Sequence, residues 1–251
     1  MVDKSSNKIF PPYVTVNGKK YFIDDDILTI KNESIDSIEN IQGLDSLANL
    51  KRLLLEHTNI TSIKGLSSIK GLEYLSLEHN EISHIQNLDN LENLKVLALT
   101  SNKIEKIQGL ENLINLEELY ISDNPINRLE GIALLPKLHE IEIEHSNLES
   151  IEKGDLPRSI QCLRAQRNKI TRVYLPSMSA CYLAGNKINT VELEPNARFD
   201  TLDVRDNEIV DLDWLENLRH ADYLGWGQNL IDTSTIPERF YDLRVVKHSD
   251  Q

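Results

Sequence analysis

Hydrophobic and polar residues follow each other along this chain in a pattern that repeats every 22 residues. Six aliphatic residues begin the clearest copies and define position 0 of each unit: Leu50, Leu72, Leu94, Leu116, Leu138 and Ile160. Positions 3, 5, 10 and 13 of these copies are aliphatic as well. Positions 3 and 5 lie on one side of a short strand, and positions 2, 4 and 6 lie on the other. The pattern therefore predicts stacked strands in one parallel sheet over a continuous aliphatic core.

The repeat continues, with less regular spacing, on both sides of these copies. Later units begin at Met178, Phe199 and Ala221, at steps of 18, 21 and 22 residues. A partial unit in the same register precedes the first copy, with aliphatic residues at Ile38, Ile41, Leu44 and Leu47. We predict about nine full units plus this partial one. The apolar positions 10, 13, 16 and 19 between strands are spaced by three, which favours short 3₁₀ or helical turns.

Two columns of polar or small residues mark the turns. Position 8 is asparagine in seven units: Asn80, Asn102, Asn124, Asn168, Asn186, Asn207 and Asn229. An amide both donates and accepts, so it can satisfy backbone groups as the chain leaves the strand, and Thr58 and Ser146 offer hydroxyls in its place. Position 15 is a residue that tolerates positive φ, which predicts a repeated left-handed turn, at Gly43, Gly65, Asn87, Gly109 and Gly131. Lys153 breaks this column beside Gly154, so the returning segment is expected to change course near residues 153–157.

The most regular units, Leu72–Asn93 and Leu94–Asn115, read LxxLxLxxNxIxxIxxLxxLxx. This motif resembles the 22-residue leucine-rich repeat of the repeat-type regulatory subunit of protein phosphatase-1 and of bacterial internalins, over roughly Ile27 to Ile236. The resemblance implies an α/β solenoid with a curved parallel sheet on its concave face and short 3₁₀, helical or irregular segments on its convex face. The segment Leu156–Ala165, with Leu175-Pro176, is similar to the shorter LPxxL repeats of bacterial effector proteins, so the second half mixes two repeat types.

The ends of a solenoid need caps, because the terminal units otherwise expose apolar core. Residues 13–23 predict a β-hairpin that turns at Asn17-Gly18, interpreted as an N-terminal cap in preference to a separate recognition hairpin. Trp226 fills an inward position of the last unit. A final strand or turn is expected from Phe240, Tyr241, Leu243, Val245 and Val246. The predicted organisation is a cap over residues 1–27, a solenoid over 28–236, and a C-terminal cap and tail over 237–251.

The chain carries 40 acidic and 27 basic residues, for a formal net charge of −13. A surface this acidic repels phosphate backbones and anionic lipid, so neither nucleic acid nor membrane is an expected partner. The sequence suggests neither a secretory signal nor an apolar stretch long enough to span a bilayer. Of the two cysteines, Cys162 falls at an outward position and Cys181 at an inward one, so no disulfide is expected. These features favour a cytoplasmic, monomeric protein.

Glutamate and histidine supply the nearest approach to a chemical site. Three Glu-His pairs occupy positions 6 and 7: Glu56-His57, Glu78-His79 and Glu144-His145. Equivalent residues of neighbouring units stand about 4.8 Å apart, so His57 and His79 can meet and, with Glu56 and Glu78, could hold a metal ion. Ser101 interrupts this ladder, and solvated polar residues on a repeat surface are the favoured explanation. No nucleophile, phosphate-loop or dinucleotide motif occurs, so the sequence predicts no catalytic residue, no metal site and no cofactor.

The outward strand positions 2, 4 and 6 form the concave face, which repeat proteins of this shape use for binding. Nine residues make up the predicted partner-binding set: Tyr74, Glu118, Tyr120, Glu140, Glu142, Glu144, Tyr182, Asp203 and Tyr223. The four glutamates form an acidic patch flanked by tyrosines, which are enriched in binding hot spots. A protein partner with a basic patch is expected there. The competing interpretation is that the acids keep the array soluble, with Arg164 partly neutralising Glu142.

The leading functional hypothesis is a non-catalytic protein-interaction scaffold. The phosphatase-subunit resemblance implies a finer version, a regulator that clasps a phosphatase catalytic subunit through acidic and aromatic concave residues. Three alternatives stay open: a bacterial effector or surface protein that binds a host or cell protein, a repeat module associated with a GTPase or another enzyme system, and a ribonucleoprotein component that docks on a protein subunit.

Overall fold

The computed structural model describes residues 12–232 of the chain. They begin with an antiparallel hairpin, in which β1 (Tyr13–Val16) pairs with β2 (Lys19–Phe22) across the predicted turn at Asn17-Gly18. Both turn residues have positive φ, 50° and 80°, as tight hairpins of this kind require. Val14 and Val16 are buried in the same core as the repeats. The hairpin therefore covers one end of the apolar interior.

Thirteen further strands follow within the described residues, and most of them are short. In chain order they are β3 (Ile27–Lys31), β4 (Arg52–Glu56), β5 (Tyr74–Ser76), β6 (Val96–Ala98), β7 (Glu118–Tyr120), β8 (Glu140–Glu142), β9 (Ser150–Ile151), β10 (Cys162–Arg164), β11 (Arg172–Leu175), β12 (Ala180–Tyr182), β13 (Thr190–Leu193), β14 (Ala197–Asp203) and β15 (Leu218–Gly225). Three short 3₁₀ segments lie between them, at Ile38–Asn40, Leu44–Ser46 and Asp213–Asn217.

Ten of these strands form one parallel sheet in the order β3-β4-β5-β6-β7-β8-β10-β12-β14-β15. Position 3 of each unit pairs with position 3 of the next: Leu28, Leu53, Leu75, Leu97, Leu119, Ile141, Leu163, Cys181, Leu202 and Leu224. All ten side chains are buried. The predicted register and the single continuous core are thus confirmed, and they persist through the units with shortened spacing. The architecture is a leucine-rich-repeat solenoid with very little helix.

The returning segments of the regular units run through consecutive tight turns. After β4, the amides of Ile69 and Leu72 donate to the carbonyls three residues back, at Leu66 and Ile69, over 3.1 Å in each case. Leu91 and Leu94 repeat this arrangement at 2.9 Å after β5. Residues three apart are eclipsed in such turns, so all of them reach the core. In the part of the chain that the structure describes, no helix has the length and apolar composition needed to cross a membrane.

A second parallel sheet, absent from the sequence prediction, lies on the returning side of the later units. It has three strands in the order β9-β11-β13, and Val173 at its centre pairs with Ile151 and Val191, all three buried. The unit between Ile160 and Met178 is 18 residues long. An extended strand covers more distance per residue than a turn or helix, so a shortened returning segment is better served by β structure. The expected change of course falls at Gly154, where φ is 97°.

The asparagine column forms a buried hydrogen-bond ladder along the solenoid. Asn80 Nδ2 donates to the carbonyls of Leu55 and Leu77 at 2.8 and 3.0 Å, and its Oδ1 accepts from the amide of Ile60 at 2.9 Å. The same pattern recurs at Asn102, Asn124, Asn168, Asn186 and Asn207. In the unit without an asparagine, the Thr58 hydroxyl donates to Asn80 Oδ1 at 2.8 Å. The predicted use of amide and hydroxyl groups at this turn is confirmed.

Left-handed backbone recurs at two positions of the unit. The first is the predicted position 15, with positive φ at Gly43, Gly65, Asn87, Gly109 and Gly131. The second is position 7, where the residues are mostly not glycine: His57, His79, Ser101, Asp123, His145, Arg167, Gly185, Asp206 and Gln228. The side chain at position 8 bonds back to the carbonyls at positions 5 and 6, as Asn80 does to Leu77 and Glu78. This bonding holds the intervening residue in the left-handed conformation.

Near the C-terminal end of the described residues, Trp226 is buried at its inward position, as predicted, and Trp214 is buried as well. The final strand or turn expected at residues 240–246 lies outside the described residues. The same is true of residues 1–11 in the predicted N-terminal cap and of 233–236 at the predicted end of the solenoid.

Candidate functional site on the concave face

The middle of the concave face brings together Tyr120 and the four glutamates of the predicted set. Pairing of β7 with β8 places Glu118 opposite Glu140 and Tyr120 opposite Glu142, and Glu144 follows just beyond the end of β8. All five side chains are half-buried. Like charges directly opposite each other in a sheet destabilise it, so the arrangement depends on how each carboxylate is bonded.

Two of the carboxylates accept hydrogen bonds from neutral groups. The Tyr120 hydroxyl donates to Glu118 Oε2 at 2.8 Å, and the Ser122 hydroxyl donates to Glu142 Oε1 at 3.3 Å. The Ser122 oxygen in turn accepts from the backbone amide of Glu144 at 2.9 Å. Within residues 12–232, neither Glu142 nor Glu144 forms an ion pair. Their two charges remain uncompensated on the concave surface.

Arg164 compensates a different glutamate from the one predicted. Its Cα lies opposite that of Glu142, which is why neutralisation of Glu142 was expected. The guanidinium instead reaches diagonally and forms its ion pair with Glu140. Arg164 also stands over the ring of Tyr182, 5.8 Å from the ring centroid. The predicted partner was therefore wrong, because register fixes which Cα atoms face each other but not the direction of a long side chain.

The tyrosines nearest the acids lie in partly desolvated, negative surroundings. Burial raises the pKa of Tyr120, and its hydrogen bond to Glu118 together with the neighbouring carboxylates raises that pKa further. Burial also raises the pKa of Tyr74, with an added effect from the charge of Glu78. Both phenols are therefore neutral at ordinary pH and can donate a hydrogen bond to a partner.

Toward the C-terminal end of the face, Asp203 is 4% exposed and accepts a two-point ion pair from Arg205. The two contacts are 2.8 Å from Nε to Oδ1 and 2.7 Å from Nη2 to Oδ2. Tyr223 lies opposite Thr201 and folds toward Gly225, where a Cβ atom would meet the tyrosine hydroxyl at 3.0 Å. Asp203, a member of the predicted binding set, is thus a buried carboxylate whose charge is already compensated.

The first two Glu-His pairs meet as predicted. The rings of His57 and His79 stack with their centroids 4.2 Å apart and their planes within 7° of parallel. Between their neighbours, the Ser76 hydroxyl lies 3.2 Å from Glu56 Oε1 and 3.5 Å from Glu78 Oε2. In the described part of the chain, no group of three His, Cys, Asp or Glu residues converges as a metal site would require. The stacked histidines lie at the rim of the concave face, outside the acidic patch.

The two cysteines have the predicted opposite orientations, Cys162 half-buried on the outward side and Cys181 fully buried in the core, and both are free thiols. Burial raises the pKa of each. Since the thiolate is the reactive form, neither side chain is suited to nucleophilic chemistry.

A groove of about 370 Å³ opens where β4, β5 and β6 begin, and the predicted set includes only its Tyr74. Its lining residues are Asp26, Lys51, Arg52, Glu73, Tyr74, Lys95 and Val96. The Arg52 guanidinium stands over the Tyr74 ring, 4.6 Å from the centroid. The signal available in the sequence is the succession of Arg52, Tyr74 and Val96 at position 2 of consecutive units, beside a charged position 1.

Comparisons with known proteins agree with the repeat and the fold. The model of the leucine rich repeat family matches residues 48–104, which span the first two regular units and part of the third. No curated protein sequence gives a significant match. The crystal structure of an internalin (inlF) from Listeria monocytogenes is similar with a TM-score of 0.53 and 19% identity, covering 90% of this chain and 87% of that chain.

Two further crystal structures extend the comparison. An internalin C2 (inlC2) from Listeria monocytogenes has a TM-score of 0.54 and 21% identity, covering 87% of this chain and 76% of that chain. The leucine-rich repeat domain of APL1 has a TM-score of 0.75 and 18% identity, covering 92% of this chain and 62% of that chain. At these identities the likeness establishes a shared solenoid fold, and function has to be argued from the surface itself.

Proposed function

We propose that this protein is a non-catalytic interaction scaffold that binds a basic segment of a partner protein on its concave face, over Glu118, Glu140, Glu142 and Glu144. The observation that carries the proposal is the pair of half-buried, uncompensated carboxylates of Glu142 and Glu144. A partly desolvated charge without a counter-ion is costly, and a lysine or arginine of a partner would supply that counter-ion. The fold supports the proposal, because repeat solenoids present extended concave surfaces to their partners.

The tyrosines add the apolar part of such a surface. Tyr120 stands within the acidic patch and Tyr182 flanks it, each held by a neighbour, Glu118 and Arg164 respectively. A rigid tyrosine buries a large area on binding at a small cost in side-chain entropy. Acids surrounded by such anchors are better suited to recognition than acids that only keep the chain soluble.

Selection of a random peptide display library on the purified protein tests the proposal. We expect the selected peptides to be enriched in lysine and arginine, and their binding to weaken with added salt, since the contact is electrostatic. The double variant Glu142→Lys and Glu144→Lys should weaken a selected peptide more than tenfold in fluorescence anisotropy, which is about 1.4 kcal/mol or more. The milder variant Glu142→Gln and Glu144→Gln should weaken it less.

The matched control reverses two exposed acids at position 11 of their units, away from the concave face, with Glu105→Lys and Glu149→Lys. It changes the net charge by the same amount and should leave binding within about twofold, because distant exposed charges are screened. Equal weakening by both double variants, or a selected pool without basic residues, would contradict the proposed site.

A finer prediction concerns the class of partner. The motif's resemblance to the phosphatase-1 regulatory subunit implies a phosphatase catalytic subunit as the protein that is bound. Purified catalytic subunit should then change its rate of phosphopeptide dephosphorylation when this protein is added, and the Glu142→Lys and Glu144→Lys variant should lose the effect. An unchanged rate, together with no co-elution in size-exclusion chromatography, would remove the phosphatase partner and leave the scaffold proposal intact.

A further inference from the structure

Three arginines stand on outward strand positions of the concave face, and one of them has no acidic partner. Arg164 forms an ion pair with Glu140, and Arg205 with Asp203. Arg52 forms no ion pair to any residue in the range 12–232, and its guanidinium is held over the ring of Tyr74 instead. On a chain with a net charge of −13, an exposed arginine left without a carboxylate is a feature that invites one.

The surroundings of Arg52 leave its hydrogen-bond donors free. The two nearby lysines, Lys51 and Lys95, are both engaged by Glu73, at 2.8 and 2.7 Å. These contacts lower the pKa of Glu73 to about 2, so Glu73 remains ionised and continues to occupy both ammonium groups. Asp26 contributes its backbone carbonyl, which accepts from the Arg52 amide at 3.0 Å.

Stacking on an aromatic ring orients a guanidinium without using its N–H groups, which lie in the guanidinium plane. Arg52 can therefore accept a carboxylate in the two-point geometry that makes arginine–carboxylate pairs strong and directional. The groove of about 370 Å³ beside it has room for such a side chain, with Tyr74 and Val96 as apolar walls. The arrangement is an anchor for an acidic group and differs in sign from the neighbouring acidic patch.

We propose that Arg52 binds an aspartate or glutamate of the same partner segment whose basic residues occupy the acidic patch, an inference that rests on the proposed function. Arg52 lies on β4, three strands from Glu118 on β7 and four from Glu140 on β8. At about 4.8 Å per strand the separations are about 14 and 19 Å, which an extended peptide covers in about four to six residues. The partner segment thus crosses the strands with its acidic residue over β4 and its basic cluster over β7 and β8.

The peptides selected on the wild-type protein test this inference directly. We expect them to carry an acidic residue about four to six positions from their basic cluster. Selection on the Arg52→Gln variant should lose the acidic residue and keep the basic cluster. As a matched control, Arg158→Gln removes an exposed arginine from a returning segment, and its selected peptides should keep both features. Circular dichroism verifies that each variant is folded.

A double-mutant cycle on one selected peptide gives the decisive measurement. Arg52→Gln and replacement of the peptide's acidic residue by its amide should each weaken binding about tenfold, and the two changes together should weaken it no further. Basic peptides without the spaced acid, or fully additive losses, would overturn the role of Arg52 while the basic-partner proposal stands. A pool without basic residues would instead contradict the proposed function.

Discussion

The hydroxyl of Tyr120 donates a 2.8 Å hydrogen bond to the carboxylate of Glu118, two residues earlier on the same strand. Residues two apart on a strand project from the same face, so this bond is local to β7 and requires no contact with another unit. It joins the aromatic and the acidic parts of the proposed binding surface. It also keeps the phenol protonated, because a neighbouring carboxylate disfavours a second negative charge.

The raised pKa of Tyr120 predicts a loss of stability at alkaline pH. The folded protein favours the neutral phenol, so this contribution is fully present below the ordinary tyrosine pKa of about 10 and is lost as the pH rises above it. Tyr120→Phe cannot ionise and should lose less stability than the wild type between about pH 9 and pH 11. Urea denaturation at both pH values measures the difference, and identical pH profiles would contradict the prediction.

The Lys51–Glu73–Lys95 cluster predicts a loss of stability in acid. The two lysines lower the pKa of Glu73 to about 2, so its stabilising effect is present above the ordinary glutamate pKa and is lost as the pH falls toward 2. The wild type should therefore be more stable than Glu73→Gln near neutral pH, and the gap should close on acidification. Because the cluster is exposed, 1 M salt should narrow the gap too. A constant gap at all pH values and salt concentrations would indicate a packing effect instead.

The buried asparagine ladder predicts a large cost for a small substitution. Asn124 donates to the carbonyls of Leu99 and Ile121 and accepts from the amide of Ile104. Asn124→Ala leaves these buried groups without a partner and should lower the free energy of unfolding by about 2–3 kcal/mol. The exposed Asn127 is the control, and its alanine variant should stay within about 0.5 kcal/mol of the wild type. Similar costs at both positions would show that the ladder has no special role.

Two glycines with positive φ separate the effect of backbone strain from that of close approach. A Cβ atom at Gly109 would lie 2.8 Å from the carbonyl oxygen of Ile85, whereas a Cβ atom at Gly154 would meet nothing within 4 Å. Both alanine variants should carry the strain of a left-handed alanine, about 1 kcal/mol. Gly109→Ala should cost at least about 1 kcal/mol more, because two backbones must move apart. Thermal unfolding measures both, and equal losses would contradict this ranking.

Much of the fold could be predicted from the spacing of residues alone. Aliphatic residues at positions 3 and 5 determined the sheet register from Leu28 to Leu224. The polar columns predicted the ladder at Asn80 and the left-handed turn at Gly109. These features repeat, and each repetition is enforced by the same local backbone requirement, so a periodic pattern is enough to reveal them.

The second sheet and the left-handed position 7 were not predictable in the same way. Nothing in the residue types of His57 or Arg167 demands positive φ, since the constraint comes from the asparagine that follows each of them. The β9-β11-β13 sheet exists because three neighbouring returning segments are extended at the same level of the solenoid. Such pairing depends on what the adjacent units do, which the pattern of a single unit does not contain.

For the binding surface, the sequence by itself determined which residues face outward, and with them the position of the acidic patch and its tyrosines. Only the tertiary structure decided how their charges are used. Arg164 reaches Glu140 in place of Glu142, Arg205 neutralises the buried Asp203, and Arg52 is left on Tyr74 without an acid. The physical reason is that the face of a side chain follows from the two-residue period of a strand, whereas its partner follows from distances and side-chain directions between strands.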